Sequence, residues 1–274
     1  MKNQNSLYKR FKIFIFRRIK TKWKLAFNTI PLIVLVIAIK LIIHYFNIEF
    51  LSLNALFTAL ISANIFLIGF LISGTLSDYK ESEKLPGDIA NAIQSMGDEA
   101  FIILKNKDSK EAKEYIHFLM KLSDELVNWF HKKTKTEEIY NMIFQLNEYH
   151  LKFEPQTQAN FIVRMKNEQT NLRRIVTRIH TIRETSFLGA GYAIAEIITG
   201  IIIFGLVFLK LDPFHEKMYF VSFVSFILIY MIFFIKDLDN PFSYYQDDGL
   251  VEEVSLKPVL DVKERLQSFL DNQG

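Results

Sequence analysis

The sequence predicts an all-α membrane protein with four transmembrane helices and a cytoplasmic helical bundle inserted between spans two and three. The chain has 274 residues, 50% of them hydrophobic, and its long apolar stretches fall into two hairpins. A charged segment, residues 78–184, separates the hairpins and has helical periodicity without the alternation typical of strands. Basic residues concentrate ahead of the first apolar stretch, where they set the orientation in a membrane.

The four spans are predicted from the length of the apolar stretches, because a helix needs roughly 20 residues to cross a bilayer. Lys40 and His44 interrupt the first stretch near its far end, and we expect Lys40 to extend to the outer headgroups. The stretches cover approximately residues 26–45, 50–77, 187–209 and 218–235.

The segment 1–24 contains nine Lys or Arg residues and no acidic residue, which places it on the cytoplasmic side. The basic and aromatic residues of 7–24 predict an amphipathic helix at the membrane surface. The alternative is an ordinary basic flank with incidental aromatic residues. Four spans then return both termini and the middle segment to the cytoplasm, and the predicted location is the cell (inner) membrane.

The charged middle segment is predicted to be helical throughout. Leu85–Asp88 is expected to break the helix that continues from the second span, with Asp88 as the N-cap of the next helix. Pro155 is expected to start the last helix of this segment, and a short amphipathic helix is predicted over 256–270. The predicted organisation is a basic amphipathic segment 1–24, spans one and two in 25–77, a cytoplasmic helical region 78–184, spans three and four in 185–236 and a cytoplasmic C-terminal segment 237–274.

Composition and motifs argue against an enzyme. The net charge of +3 gives no global basic field for nucleic acid, and the absence of Cys removes thiol chemistry. No Gly-rich phosphate loop, His-Glu-x-x-His pair or nucleophile elbow occurs, so no catalytic residue and no cofactor is predicted. His117, His131, His150 and His180 lack a second ligand at a convincing spacing, so we expect structural or surface roles for them and no metal site.

The second span carries a polar stripe along one face, which is the main candidate for a functional site. Small hydroxyl-bearing residues share an arc of about 120° on a helical wheel with two phenylalanines one turn apart. One interpretation is helix packing, because small polar residues let helices approach closely. The other is a pore lining, in which hydroxyls favour water or ions and the phenylalanines form a hydrophobic constriction. The stripe consists of Thr58, Ser62, Phe66, Gly69, Phe70, Ser73 and Ser77.

Glu196 lies inside the third span and is a second functional candidate. A carboxylate at membrane depth is costly unless it faces protein or water. The alternative is that this helix begins late, so that Glu196 lies near the inner interface and is paired with an Arg.

Three segments resemble the bestrophin family of membrane channels, in the order and at the places that four spans require. The segment 78–89 is similar to the family's sequence after the second span, and Glu81, Lys84, Gly87 and Ile89 match in place. In the third span, Phe-Gly-Leu-Val at 204–207 resembles a family run. After the fourth span, Asn-Pro-Phe at 240–242 and the acidic pair Asp247 and Asp248 are similar to a third family segment.

The chain departs from the family pattern at several of these positions, which identifies it as a distant member. Asp78-Tyr79-Lys80 stands where the family has Arg-Trp-Trp, Ser243 replaces a Gly, and Ile203 replaces the Pro before Phe-Gly-Leu-Val. Because Asp78 replaces an Arg near the inner end of the second span, these departures bear on ion selectivity more than on fold.

The resemblance implies a homopentameric ion channel of a generally anion-conducting kind, with chloride conduction favoured. The family's neck positions correspond to Ser62, Phe66 and Phe70, and Ser73 and Ser77 continue the same face. A calcium site after Asn-Pro-Phe in some members makes Asp247 and Asp248 weak metal candidates, but this chain has fewer acids there, so no bound metal is expected. The expected partners are further copies of the chain, the lipid bilayer and permeant inorganic ions.

A second class of function remains open. The chain would then be a membrane-anchored interaction or sensory protein whose cytoplasmic helical bundle binds a partner. The stripe on the second span discriminates between the two, because a channel requires an aqueous face and a scaffold does not.

Overall fold

The computed structural model describes residues 23–185, 189–210, 212–239, 241–242, 244 and 254–271. The predicted surface helix over 7–24 therefore lies almost wholly outside the described residues. The helices are α1 (Lys24–Tyr45), α2 (Ala55–Ser82), α3 (Leu85–Lys107), α4 (Lys110–Phe130), α5 (Thr136–Phe153), α6 (Ala159–Glu184), α7 (Gly189–Phe208), α8 (Phe214–Leu238) and α9 (Lys257–Asp271). Two short strands, β1 (Leu51–Ser52) and β2 (Leu209–Lys210), complete these elements.

The chain divides into two compact units. Unit 1 takes the described residues of 1–77 and 187–239, and unit 2 takes those of 78–186 and 240–274. Among the residues that the structure describes, four helices are long and apolar enough to cross a membrane, and their most apolar stretches have mean hydropathies between 2.1 and 2.4. They correspond to α1, α2, α7 and α8, in agreement with the four predicted spans.

In unit 1, the core is a seam of aliphatic side chains between the apolar helices. α1 packs along α8, and α7 packs against both. α2 is the least buried of the four. Only 17% of the residues in its apolar stretch are buried, against 22% or more in the other three helices. The most deeply buried members of the seam are Leu71, Ala195, Ile202, Val221, Leu228 and Ile235.

The start of α2 differs from the prediction. The apolar run begins at residue 50, but Leu51 and Ser52 form β1, which pairs in parallel with Leu209 and Lys210 of β2. The helix begins only at Ala55, where the Asn54 side chain caps it by accepting a hydrogen bond from the Phe57 N–H at 2.9 Å. Two-residue strands carry too little alternation to be recognised in a sequence.

In unit 2, α3 packs on α4 and α6, and α9 lies against α3 and α4. The predicted helix over 256–270 is observed as α9, and its Leu266 side chain lies so close to Gly97 that a Cβ at that position would collide with it. Gly97 therefore sets the close approach of α9 to α3. The fully buried core side chains include Met96, Tyr115, Leu119, Leu126, Ile143 and Val176.

Two predicted helix starts in unit 2 are shifted. Asp88 is not an N-cap, because α3 already begins at Leu85, and Pro86 is tolerated in the first turn since its missing N–H would be unpaired there anyway. Asp88 instead lies in that first turn, where a carboxylate suits the helix dipole. Pro155 does not start α6. It lies in the turn that closes α5, in which the Gln156 and Thr157 N–H groups bond to the Phe153 carbonyl.

Candidate functional site

All five predicted pore residues lie on the exposed side of α2. Phe66 is 78% exposed and Phe70 is 62% exposed, and Ser62, Ser73 and Ser77 are exposed as well. The Ser62 hydroxyl donates to the Thr58 carbonyl of its own helix at 3.0 Å. Within one chain, the stripe is therefore not used to pack helices against each other. It is a surface open to whatever surrounds α2.

The opposite side of α2 faces the core of unit 1. Asn64 is fully buried there, and its side-chain N–H donates to the Thr199 hydroxyl of α7 at 2.9 Å. Ile68, Leu71 and Thr75 continue this buried face toward the end of the unit. The helix thus has one face committed to its own chain and one face, the stripe, that is not.

Glu196 forms an ion pair between two helices of unit 1. Its Oε1 lies 2.7 Å from the Lys236 Nζ of α8, and the two side chains are 42% and 55% exposed. The expected arginine partner is wrong: the partner is a lysine in the last turn of α8. Because Lys236 follows the apolar part of its helix, the pair supports the interpretation that Glu196 lies near a membrane interface.

Lys40 does not extend to the surface, contrary to the expectation. It is fully buried, and its Nζ donates to the Val207 carbonyl at 2.9 Å and to the Leu209 carbonyl at 2.6 Å. These carbonyls lie at the C-terminal end of α7, where a helix leaves acceptors unpaired and its dipole favours a cation. Lys40 of the first span therefore caps the third.

The third acceptor for Lys40 is a carboxylate, which makes it part of a buried group of charges. Glu49 Oε1 lies 2.9 Å from Lys40 Nζ and 3.3 Å from His44 Nδ1, and Glu49 Oε2 accepts from Lys217 Nζ at 2.6 Å. We name these four residues, Lys40, His44, Glu49 and Lys217, the Glu49 cluster. No sequence spacing links them, so sequence analysis missed the cluster.

Glu49 is ionised in this arrangement. Burial opposes its charge, but the hydrogen bonds from Lys217 and Lys40 and the charges of both lysines outweigh that cost, and the pKa of Glu49 falls below its usual value. Lys40 and Lys217 are 0% and 1% exposed. The cluster therefore places two buried lysine side chains against one carboxylate.

The segment that matched the family after the second span is held in unit 2 by an arginine. Arg178 of α6 donates from Nε and Nη2 to the two oxygens of Glu81 at 2.9 and 2.7 Å, and Asp78 Oδ1 lies 3.9 Å from the same Nη2. The hydrogen bond from Arg178 lowers the pKa of Glu81. The matching Ile89 is fully buried. Two of the four matching residues thus have structural roles.

The matching Asn-Pro-Phe segment also contributes to unit 2. Phe242 is fully buried, with its ring centroid 5.6 Å from that of Phe130. Asp247 and Asp248, the weak metal candidates, lie outside the described residues. Among the residues that the structure does describe, no group of three His, Asp or Glu side chains is placed to hold a metal ion.

The predicted structural role of the histidines is clearest at His150. It is 4% exposed, and its Nε2 lies 3.2 Å from the hydroxyl of the fully buried Tyr115. Burial, together with the charge of Lys166, lowers the pKa of His150 to about 4. His150 is therefore a neutral residue of the core of unit 2.

Comparison with known proteins agrees with this architecture. No protein-family model matches the chain, and no curated protein matches it. Among solved structures, the chain is similar to a bacterial bestrophin homologue from Klebsiella pneumoniae at 15% identity and a TM-score of 0.73, over 89% of this chain and 98% of that one. A single-residue variant of that homologue gives 16% identity and a TM-score of 0.72, over 92% and 99% of the two chains.

At this level of identity, the similarity establishes the fold. The chain has a bestrophin-like fold over most of its length, which confirms the fold that the three motif segments predicted from sequence.

Proposed function

We propose that this chain is the subunit of an oligomeric, bestrophin-like ion channel, a pentamer that conducts anions with chloride favoured, through a pore lined by α2. The observation that carries the proposal is the stripe on α2. In a chain with this fold, the least buried span exposes hydroxyls and two large phenylalanines on one face. A helix that faced only lipid would have no need of the hydroxyls.

Phe66 and Phe70 form the constriction in this proposal. Five copies would give two stacked apolar rings about 6 Å apart, from four residues at roughly 1.5 Å rise each. A hydrated ion that passes such rings must shed water without gaining a polar ligand, which is costly. The rings therefore limit conduction or close the pore by dewetting. Ser73 and Ser77, farther along the same face, offer hydroxyls to water and ions.

In the proposed orientation, unit 2 and both termini are cytoplasmic and the protein lies in the inner membrane. The basis is the excess of basic over acidic residues in the segment 1–24 and the even number of spans. A cysteine in place of Ile48 should then react with an impermeant thiol reagent from outside, and one in place of Lys110 should not. The reverse labelling pattern would overturn the orientation.

The second candidate function is a membrane-anchored interaction or sensory protein. It is favoured by one observation, namely that unit 2 exposes large apolar side chains on α5 and α6. Phe144 is 64% exposed, Leu151 is 70% exposed and Val163 is 56% exposed. Exposed apolar groups of this kind mark interaction surfaces when they are contiguous. This function requires no ion flux, and the experiment below separates the two.

The test replaces each ring residue and measures flux and assembly together. Phe66→Ala and Phe70→Ala should widen and wet the constriction, so chloride flux into liposomes should rise. A rise on the order of tenfold corresponds to lowering the barrier by about 1.4 kcal/mol. Ser62→Ala should change flux little, because that side chain is already small.

Phe223→Ala is the matched control. Phe223 is 50% exposed on α8, outside the stripe, so its loss should leave flux unchanged. If Phe66→Ala reduces pentamer yield and does not raise flux, the phenylalanines pack between subunits and do not gate a pore. If the unaltered protein carries no ions at all, the interaction function takes precedence.

A further inference from the structure

The Glu49 cluster contains more basic than acidic side chains. Glu49 is the shared acceptor of two lysines, and its side chain is only 8% exposed. Lys40 makes contacts to three acceptors, namely Glu49 and the Val207 and Leu209 carbonyls. These three acceptors match the three N–H bonds of an ammonium group. Lys40 and Lys217 thus share a single carboxylate, and two lysine ammonium groups on one carboxylate leave one positive charge over.

This excess charge is shielded from salt. Lys40 and Lys217 are essentially inaccessible to solvent, whereas Lys210 of β2, seven residues before Lys217, is exposed. Buried charges are screened by salt much less than exposed ones. The field of the cluster therefore extends farther than that of an ordinary surface lysine.

The cluster lies near the start of α2. Glu49 precedes Ala55, the first residue of that helix, by six residues, which span at most about 21 Å when fully extended. The strand pair holds this connection in place, because Leu51 pairs with Leu209, whose carbonyl binds Lys40. The N-terminal end of α2 also has the positive end of the helix dipole. Both contributions have the same sign at the same end of the proposed pore helix.

We infer that the Glu49 cluster is a determinant of ion selectivity: its uncompensated positive charge, repeated in every subunit around the outer mouth of the pore, favours anions over cations, and Lys217 supplies the excess. This inference rests on the proposed channel function. It assigns the preference for anions over cations to buried charges near the N-terminal end of α2. The apolar rings at Phe66 and Phe70 then limit the passage of all ions and do not discriminate between anions and cations.

The cluster also has a structural part, which must be separated from the electrostatic one. Lys40 joins the first span to the end of the third through two carbonyls and would be indispensable to the fold. Among the described residues, the Lys217 ammonium group has Glu49 as its one hydrogen-bond acceptor, and the other bond of this residue runs from its backbone N–H to the Pro213 carbonyl. Lys217→Met therefore removes the excess charge and leaves Lys40 and Glu49 as a balanced pair, with a side chain of similar length filling the space.

The experiment measures the chloride-to-sodium permeability ratio from the reversal potential of the full-length protein in planar bilayers under a sodium chloride gradient. Lys217→Met should lower this ratio at least about threefold, because one charge at about 20 Å, with an effective dielectric constant near 20 and partial screening, already has an effect of that size and the substitution removes one charge from every subunit. Glu49→Gln should raise the ratio, because it leaves two positive charges without a carboxylate. The matched control, Lys210→Met, removes an exposed lysine and should leave the ratio unchanged.

Opposite shifts in the two cluster variants support the inference, because a purely structural role would impair assembly or total flux without moving the ratio in two directions. An unchanged ratio in a conducting Lys217→Met channel overturns it and leaves the channel proposal standing. If Lys217→Met does not assemble, the decision rests on Glu49→Gln and on Lys217→Arg, which should keep the original ratio. Absence of current in the unaltered protein is a different failure, that of the proposed function itself.

Discussion

Unit 1 and unit 2 distribute polarity in opposite ways. In unit 1, Phe66 is 78% exposed while Lys40 is fully buried. In unit 2, Leu122 is fully buried while the Lys110 side chain is 85% exposed. The same chain therefore follows the rule of water-soluble proteins in one unit and departs from it in the other. The difference indicates that unit 2 is held together by removal of apolar surface from water, whereas unit 1 depends on close packing and on buried polar contacts.

The largest effect is expected in the core of unit 2. Leu122→Ala should lower the free energy of unfolding of this unit by about 2–5 kcal/mol, because it loses both the transfer free energy and the packing of the removed atoms. Hydrogen exchange of the helices of unit 2 in the detergent-purified protein would measure it. Leu151→Ala, at a position that is 70% exposed, is the matched control and should cost little.

Leu71→Ala extends this test to unit 1. Leu71 is 1% exposed, so the substitution leaves a comparable cavity. In a bilayer, however, the removed atoms do not return to water on unfolding, so only the packing term is lost and the cost should be smaller than that of Leu122→Ala. Equal costs at the two positions would show that the units do not differ in what stabilises them.

The sequence predicted the helices of both units well because periodicity and apolar length report directly on helical faces and spans. It failed where a local signal had two interpretations. Pro155 is compatible with a helix start or with a turn, and only the hydrogen bonds from the Gln156 and Thr157 N–H groups to Phe153 decide for the turn. Asp88 is a good N-cap and also a good first-turn residue, and Pro86 shifts the helix start ahead of it.

The candidate site shows the same limit more sharply. The stripe on α2 could be found from sequence because all of its residues lie on one helix and share its periodicity. The Glu49 cluster could not, because Lys40, Glu49 and Lys217 lie on two different helices and a loop. A lone Lys near the end of a span is ambiguous between a headgroup contact and a buried partner, and the partner here lies far along the chain.

Lowering the pH is expected to have an intermediate effect on the stability of unit 2. His150 has a pKa of about 4 in the folded protein, because burial and the nearby Lys166 disfavour its charged form, against an ordinary value of 6.5. Between these values the unfolded chain binds more protons than the folded one, so the stability of unit 2 should be full above pH 6.5 and fall as the pH drops toward 4. The loss should approach about 3 kcal/mol at the lower limit, from 1.36 kcal/mol for each pKa unit.

The measurement is the free energy of unfolding of unit 2 as a function of pH. His150→Gln should remove most of the pH dependence of this free energy between pH 6.5 and 4. His117→Gln, at an exposed position, should leave it unchanged. Unit 1 should respond differently. The pKa of Glu49 is held below 4.5, so its contribution is present above that pH and is lost only in more acid solution. A parallel loss of stability in both units near pH 6 would contradict this difference.

The smallest effect on stability is expected for the hydrogen bond between the side chains of Asn64 on α2 and Thr199 on α7. Asn64 and Thr199 are both buried in unit 1 and bond at 2.9 Å. In a water-soluble core, leaving one such group unpaired would cost about 1–3 kcal/mol. In a bilayer, the separated helices also find partners for their polar groups, and measured couplings average only about 0.6 kcal/mol.

A double-mutant cycle with Asn64→Leu and Thr199→Val should therefore give a coupling near this lower value, read from the unfolding of unit 1 in detergent micelles. The control is Ser62→Ala on the exposed face of the same helix, whose hydroxyl bonds only to its own backbone and should show no coupling to Thr199→Val. A coupling above about 2 kcal/mol would mean that this contact behaves as it does in a water-soluble core, and the contrast between the two units would then be confined to their surfaces.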